Sequence, residues 1–366
     1  MTKRVLIAAI SSRPFVKAAV QAGYSVTALD VFADADTQQY AEKVFKVEYA
    51  NSGFEPQQLE SVLDELDLGQ FEGFAYGSGF EAQPDLLTRI QQRLPLIGNS
   101  PALVSKLKDP SAFFALLDSL NIPHPEVCFA TVASTEGWLR KESGGSGGSH
   151  VVPAQAGSAL LGGHYYQRLK TGEPFSMLFA ANGKEIGVIG FNQQWVAPTD
   201  DKPYRYGGIV GHADLPVAIK QGMQQVALKL TQSLGLRGLN TLDVVVNGHA
   251  FWVLEINPRL SSSLDLYQSP SANLFSLHIQ AVAGDLGIFP NISSRSKARQ
   301  VIYAAKDIVI AQDFIWPVWA ADIPMGMTDI QSQQPVCTVL AETGSAKEAR
   351  ALVESRAVQL SSLLFH

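Results

Sequence analysis

The chain has 366 residues, 46% of them apolar and 17% charged, which is material for two or three packed lobes and too much for one ordinary core. A net charge of -6 gives no basic footprint and argues against a nucleic-acid partner. Two distant cysteines, Cys128 and Cys337, do not make a disulfide framework or a zinc site. No run approaches the ~18 apolar residues of a membrane span, and Lys3-Arg4 lead only into a short strand-like stretch. A soluble, cytoplasmic protein is expected.

Residues 4–10 (RVLIAAI) are apolar without alternation, which predicts a buried strand. A helix over 14–22, a strand over 25–30, a helix over 56–67, a strand over 73–76 and a helix over 85–93 follow. That alternation predicts a Rossmann-like lobe over residues 1–97. Its first turn, Ser11-Ser12-Arg13, lacks the glycines that let backbone approach a pyrophosphate, so a dinucleotide site is not expected. Asp30 at the end of the second strand is expected to cap or solvate a loop. Ser11, Ser12, Arg13 and the run Gly77-Ser78-Gly79-Phe80-Glu81 sit at strand ends, where open sheets bind ligands, and are candidate substrate contacts.

A helix over 111–120 stops at Asn121-Ile122-Pro123-His124-Pro125. A short strand is predicted over 138–140 and a glycine-serine loop over 142–149. Strands over 175–181 and 185–191 flank the turn Asn182-Gly183. A long helix over 215–234 ends at Gly235, and a second hairpin pairs 242–246 with 251–256 across Asn247-Gly248. A helix over 272–283, strands over 301–304 and 336–340 and a helix over 346–355 complete the chain. The aromatic tail around Trp316 and Trp319 is expected to pack as ordinary core.

The second hairpin carries the strongest chemical signal. Asp243 lies on one strand and Glu255-Ile256-Asn257-Pro258-Arg259 closes the other. Period-two alternation puts Glu255 and Asn257 on one face, and the turn folds Asp243 back toward them. Such an all-oxygen set suits a hard Mg²⁺ ion, and Arg259 beyond it suits a phosphoryl or carboxylate group. Lone strand-end acids would simply face water; the ordered set of acid, hairpin and Glu-x-Asn-Pro-Arg argues for more.

A second signal is Lys141 followed by Gly144, Gly145, Ser146, Gly147 and Gly148. Alone, that run reads as a linker. After a strand it reads as a flap offering N–H groups to phosphate, with Lys141 aimed at the same anion. It is not a Walker A loop. His150 is expected to be structural. The weakest signal is Gln167-Arg168-Leu169-Lys170-Thr171-Gly172-Glu173, a polar turn able to meet an adenine edge, with Glu173 at ribose hydroxyls.

In this order and spacing the three segments resemble the ATP-grasp superfamily of ligases, of the carbamoyl-phosphate synthase and biotin carboxylase kind, from about Gly98 to about Gly284. The resemblance implies an α/β N-terminal Rossmann-like lobe followed by a two-subdomain α+β fold that clasps ATP. It divides the chain into 98–170 (small subdomain with the glycine-rich loop), 171–290 (large subdomain with the metal site) and 291–366 (a C-terminal α/β extension on that core). It implies that Lys141 binds phosphate, Gly144–Gly148 form the mobile loop, and Gln167, Arg168, Leu169 and Lys170 form the adenine hinge. Asp243, Glu255 and Asn257 would hold one or two Mg²⁺ ions, with Mn²⁺ as a substitute, and Arg259 would meet phosphate or acyl-phosphate.

The sequence departs from the family at Lys106-Leu107-Lys108-Asp109-Pro110, where alignment sets Pro110 in place of another ATP-contacting lysine. Lys108 or Lys106 is expected to reach in instead. The implied activity is carboxylate–amine ligation through an acyl-phosphate, with ADP released; the substrates are a small carboxylate and a small amine, and dimers are common among such folds. Bicarbonate activation and non-catalytic ATP sensing are the alternatives. Ser11-Ser12-Arg13, Asp30 to Asp36, Tyr206-Gly207-Gly208, Trp316-Pro317, Ala321-Asp322-Ile323-Pro324 and Pro335-Val336-Cys337-Thr338 also resemble a branch of the superfamily linked with methanopterin- and methanofuran-type coenzyme biosynthesis. That narrower resemblance implies glutamate attached to an amine such as tyramine or tyrosine.

Overall fold

The computed structural model describes residues 2–50, 52–155 and 160–365. The first lobe holds β1 (Arg4–Ala9), α1 (Arg13–Gln21), β2 (Ser25–Asp30), α2 (Ala35–Tyr40), β3 (Lys43–Lys46), α3 (Pro56–Glu65), β4 (Phe74–Tyr76), α4 (Pro84–Gln91) and β5 (Leu96–Ile97). Its sheet has the order β3-β2-β1-β4-β5, and every pairing in it is parallel. β1 is apolar on both faces because helices cover both; Val5 to Ala9 are fully buried. The strand order reverses between β1 and β4, so the loops Ser11–Arg13 and Gly77–Glu81 border one crevice at their carboxyl ends.

Two helices, α5 (Pro101–Lys108) and α6 (Pro110–Ser119), lead into a small sheet of β6 (Val127–Cys128), β7 (Trp138–Glu142), β8 (Val151–Pro153) and β9 (His164–Arg168), in the order β8-β7-β9-β6. β7 runs two residues beyond the stretch 138–140, and Lys141 stands on it. Pairing with both β8 and β9 holds it there: Lys141 lies opposite Val151 and Tyr165.

The large sheet is built from β10 (Glu173–Asn182), β11 (Ile186–Val196), β12 (Tyr206–Gly211), β13 (Arg237–Asn247), β14 (Ala250–Asn257), β15 (Ser296–Tyr303), β16 (Ala320–Ala321) and β17 (Pro335–Thr343). Their order is β14-β13-β10-β11-β12-β15-β17-β16, so the sheet continues across residue 290 into the C-terminal region. Helix α7 (Val217–Leu234) packs on this sheet and ends at Gly235, whose φ of +70° is the left-handed cap that glycine adopts at low cost. Helices α8 (Leu264–Tyr267) and α9 (Leu274–Val282) pack against α1, joining the first lobe to the large sheet through Phe15, Ala18, Leu264, Tyr267 and Phe275. Helix α10 (Ala346–Phe365) is ten residues longer than the sequence pattern suggested, because Val353, Ala357 and Leu360 bury against β15 and β17. Trp316 and Trp319 are partly buried against that same core.

Asn99 fastens the lobes. Its amide donates to the carbonyls of Arg237 and Pro258 and to Asn240 Oδ1, all at 3.0 Å, and its Oδ1 accepts from the Arg237 N–H at 2.8 Å. The last residues of β14 are thereby fixed relative to the first lobe.

Candidate active site

The floor of the site is the β13–β14 ribbon. Asp243 is register partner to Glu255 and Thr241 to Asn257. The Asn257 amide donates to Asp243 Oδ2 at 2.8 Å and to Glu255 Oε1 at 3.2 Å, so the three oxygen-bearing side chains form one cluster. Gln194 from β11 donates to the other Asp243 oxygen at 3.2 Å. Lys108, from the end of α5, puts its Nζ 2.8 Å from Asn257 Oδ1 and 3.3 Å from Glu255 Oε2. Lys106 is exposed on the same helix, so Lys108 is the lysine that reaches the cluster.

The electrostatics follow from crowding. Burial pushes the Asp243 carboxyl up and the neighbouring Glu255 carboxylate pushes it further, against the pull of Lys108 and Arg259. Burial also disfavours the Glu255 charge, but Lys108, then Lys141 and His150, hold that carboxyl well below the usual range. Its side chain remains 41% exposed. The Asn257 amide bridges the two acids, and the charge of Glu255 disfavours that of Asp243.

Lys141 forms the roof. It is buried, 3.4 Å from Gln167 Oε1 and 5.8 Å from the centre of the Tyr165 ring. Burial works against its charge, while Tyr165, Glu255 and Asp243 favour it, and the ammonium stays charged. The glycine-rich loop docks on both neighbours. A Cβ on Gly144 would stand 2.7 Å from Ala82 Cα of the first lobe, one on Gly148 would fall on the Tyr204 carbonyl, and the Gly147 carbonyl accepts from the Tyr206 N–H at 2.8 Å. His150 packs beneath; burial first and Lys141 second lower it to about 4, so it is neutral.

Arg259 follows the ribbon and is held from the first lobe. Its Nε lies 2.5 Å from Glu81 Oε1, with Nη1 on the Leu260 carbonyl at 3.1 Å and Nη2 on Asn257 Oδ1 at 3.4 Å. Glu81 is buried and also accepts from the Gly79 N–H. Its pairing with Arg259 links positions 178 residues apart, and nothing local in the sequence announces it.

The other expected residues make contacts of their own. The Arg168 guanidinium stacks 4.5 Å from the Trp138 ring and donates to the Glu136 carbonyl, while the N–H groups of Arg168 and Leu169 are spent on Glu126 and Gly137. Lys170 lies over the Trp252 ring, Leu169 is exposed, and Glu173 opens β10 three positions before Ser176, the partner of Asp243. Ser12 and Arg13 do not face open space. Ser12 bonds Asp30, which also accepts from Phe32 and Ala33, and Arg13, 2% exposed, is spent on Asp322 and Asp265.

A parallel first lobe, a small antiparallel sheet with a glycine loop and a large antiparallel sheet bearing paired acids define the ATP-grasp architecture. Residues 108–263 match the family model of the ATP-grasp domain. The carbamoyl phosphate synthase arginine-specific large chain of Geobacillus stearothermophilus is 25% identical over 238 residues, 58% of this chain and 22% of that one. The chain thus spans about a fifth of the length of that curated relative. Among solved structures, the L-amino acid ligase of Bacillus licheniformis is similar at a TM-score of 0.70 and 14% identity, with 96% of each chain covered. The biotin carboxylase domain of the Hydrogenobacter thermophilus 2-oxoglutarate carboxylase, in complex with MgADP, ADP and bicarbonate, is similar at 0.75 and 11% identity, over 97% of this chain and 89% of that one. No helix among the described residues is long and apolar enough to cross a membrane.

Proposed function

We propose that the chain is an ATP-dependent ligase that activates a small carboxylate as an acyl-phosphate and joins it to a small amine. The observation that carries the reading is the cluster of Asp243, Glu255 and Asn257 below Lys141, with Lys108 and Arg259 at its rim. The donor set is all oxygen, and the proton that Asp243 keeps beside Glu255 is the charge a divalent cation would replace. One or two Mg²⁺ ions, or Mn²⁺, held there would neutralise phosphate charge.

The chain's own residues do the positioning. Lys141, anchored on β7, is directed toward phosphate oxygens, and the loop Gly144–Gly148 covers them with N–H donors and keeps water out. Gln167 to Lys170 border the adenine, with Glu173 at the ribose edge. Lys108, on leaving Glu255 and Asn257, reaches the same phosphates. A carboxylate oxygen bonds to the γ-phosphorus as the β–γ bridging bond breaks and ADP leaves, while Arg259, oriented by Glu81, offsets the charge in transfer. The amine nitrogen then bonds to the acyl carbon, the bond to phosphate breaks, and the amine loses a proton. In its finer form the acid is glutamate and the amine aromatic. Residues 1–97 serve as the substrate-facing lobe, 98–170 and 171–290 as the two halves that clasp nucleotide, and 291–366 as an extension of the second.

Mass-resolved product analysis with Mg-ATP, mixed amino acids and candidate amines tests the reading. An amide and amine-dependent ADP release are expected, and Glu255→Ala is expected to abolish both with an unchanged melting curve. ADP release that needs neither acid nor amine, or that follows bicarbonate alone, would overturn it.

A further inference from the structure

Beside the crevice at the carboxyl ends of β1 and β2, five aspartates, Asp30, Asp34, Asp36, Asp265 and Asp322, meet two guanidiniums, Arg13 and Arg299. Four of the acids are accounted for. Asp30 accepts from Ser12, Phe32 and Ala33; Asp36 accepts from the N–H groups of Asp322 and Ile323; Asp265 and Asp322 each bind Arg13 at 2.7 Å, and Asp322 also binds Arg299 at 3.2 Å. Asp34 is different. It is 4% exposed, and its Oδ2 has no hydrogen-bond partner among the described residues. Two further buried groups are also unpartnered: the hydroxyl of Thr37, in the helix α2 that Asp34 caps, and, from β15, the Nε of Arg299, whose side chain lies against Asp322. Buried polar atoms are rarely left without partners, and three around one acid cluster describe a place prepared for a ligand.

We propose that Asp34, Thr37 and their neighbours Asp36 and Asp322 form a subsite for an ammonium group, the cationic end of the amine substrate. This rests on the ligase reading above. An –NH₃⁺ group brings three donors and one positive charge, which is what a free carboxylate oxygen, a free hydroxyl and a surplus of acids lack. The unpartnered Arg299 N–H suits an acceptor atom on the same molecule. A metal ion is the poorer match, since no three acid, histidine or cysteine side chains converge to coordinate one among the described residues. With no cation present, burial first, and then Asp322, Asp30 and Asp36, raise the Asp34 carboxyl to about 9, so a proton holds the place.

The subsite lies within electrostatic reach of the reaction site. Asp265 follows Arg259 by six residues, and α8, which begins at Leu264, carries it back to Arg13. Tyr206, whose buried hydroxyl is also unpartnered, is raised chiefly by burial, and the charges acting on it include Arg299 and Asp322 as well as Asp243 of the cation cluster.

The test is calorimetric titration of the full chain, without nucleotide, using butylamine and 2-phenylethylamine against 1-butanol and 2-phenylethanol. Saturable binding of the amines, with the alcohols about tenfold weaker or worse, is expected from loss of a charge-assisted contact. Asp34→Asn should weaken amine binding about tenfold while Mg-ATP binding is retained. Should that variant fail to melt cooperatively, Thr37→Val is measured instead and should also weaken amine binding. Equal binding of amine and alcohol, no amine binding, or wild-type affinity in the folded variant overturns the proposal. Mg-ATP titration of the unaltered chain is the separate arm: its failure sinks the ligase reading without touching the amine result.

Discussion

Replacing Lys108 by methionine should change metal binding and nucleotide binding in opposite directions. The Lys108 ammonium holds the place beside Glu255 and Asn257 that a divalent ion would need, at 3.3 Å and 2.8 Å. A hydrogen bond to a charged group is worth about 1.5–3 kcal/mol net, and the open side of Glu255 brings this pair toward the lower end. An ion entering the wild-type cluster must displace that contact. Methionine keeps the length of the side chain and removes the competing charge, so Mn²⁺ alone should bind about tenfold more tightly, which is about 1.4 kcal/mol. Electron paramagnetic resonance of free against bound Mn²⁺ reads this directly, with no turnover required. Mg-ATP affinity should fall in the same variant, because the lysine released by the metal no longer meets phosphate. Unchanged or weaker Mn²⁺ binding in the variant would refute the assignment of Lys108 as the displaced cation.

Three further outcomes follow from the geometry. Stability should decrease from pH 7 to pH 9. Asp34 is protonated in the fold up to about 9 but ionised in the unfolded chain above about 4, so the unfolded state binds fewer protons and rising pH favours it, by up to about 1.4 kcal/mol per pH unit. The buried His150 and His278, both near 4, act in the other direction only below about 6.5, outside this window; thermal melts that are flat or rising in the wild type, or as steep in Asp34→Asn, would contradict it. Asn99→Ala removes four hydrogen bonds that tie the first lobe to the β13–β14 ribbon and takes a partner from backbone groups of Arg237 and Pro258, which should cost at least about 2 kcal/mol in urea unfolding. Gly148→Ala drives a Cβ into the Tyr204 carbonyl and should raise the KM for ATP severalfold, whereas Gly147→Ala meets no atom within 4 Å and should cost only the ~1 kcal/mol of a left-handed alanine; equal kinetics for the two would remove the docked loop from the argument.

The sequence disclosed what is local. The β13–β14 ribbon was legible because Asn247-Gly248 fixes the turn and strand alternation fixes which side chains share a face, so Asp243, Glu255 and Asn257 meet as the pattern requires. The alternation of strands and helices gave the parallel lobe. What was not legible depends on contacts between distant segments. Glu81 finds Arg259, and Arg13 finds Asp265 and Asp322, only after three lobes have packed, and no periodicity links positions so far apart. Ser12 and Arg13, read as candidate substrate contacts, are engaged by side chains from other segments, Ser12 by Asp30 and Arg13 by Asp265 and Asp322, and no local pattern discloses those partners.

The junction at Pro110 shows how a change in one lysine's position is absorbed by the backbone. On a continuous helix, a residue two positions earlier points about 200° away, so a lysine at 108 could not replace one at 110. Here the helix is not continuous. Asp109 is the last cap of α5 and the first of α6, its side chain accepting from the Ser111 N–H at 2.8 Å and from the Ser111 hydroxyl at 2.7 Å. Pro110 takes the first helical position, where its missing N–H costs nothing and its fixed φ starts the new helix. The break separates the direction of Lys108 from that of α6, and the lysine turns inward with only 7% of its side chain exposed. Proline and lysine are therefore one feature of this sequence: the residue that removes the expected lysine also ends the helix where its substitute reaches the acids.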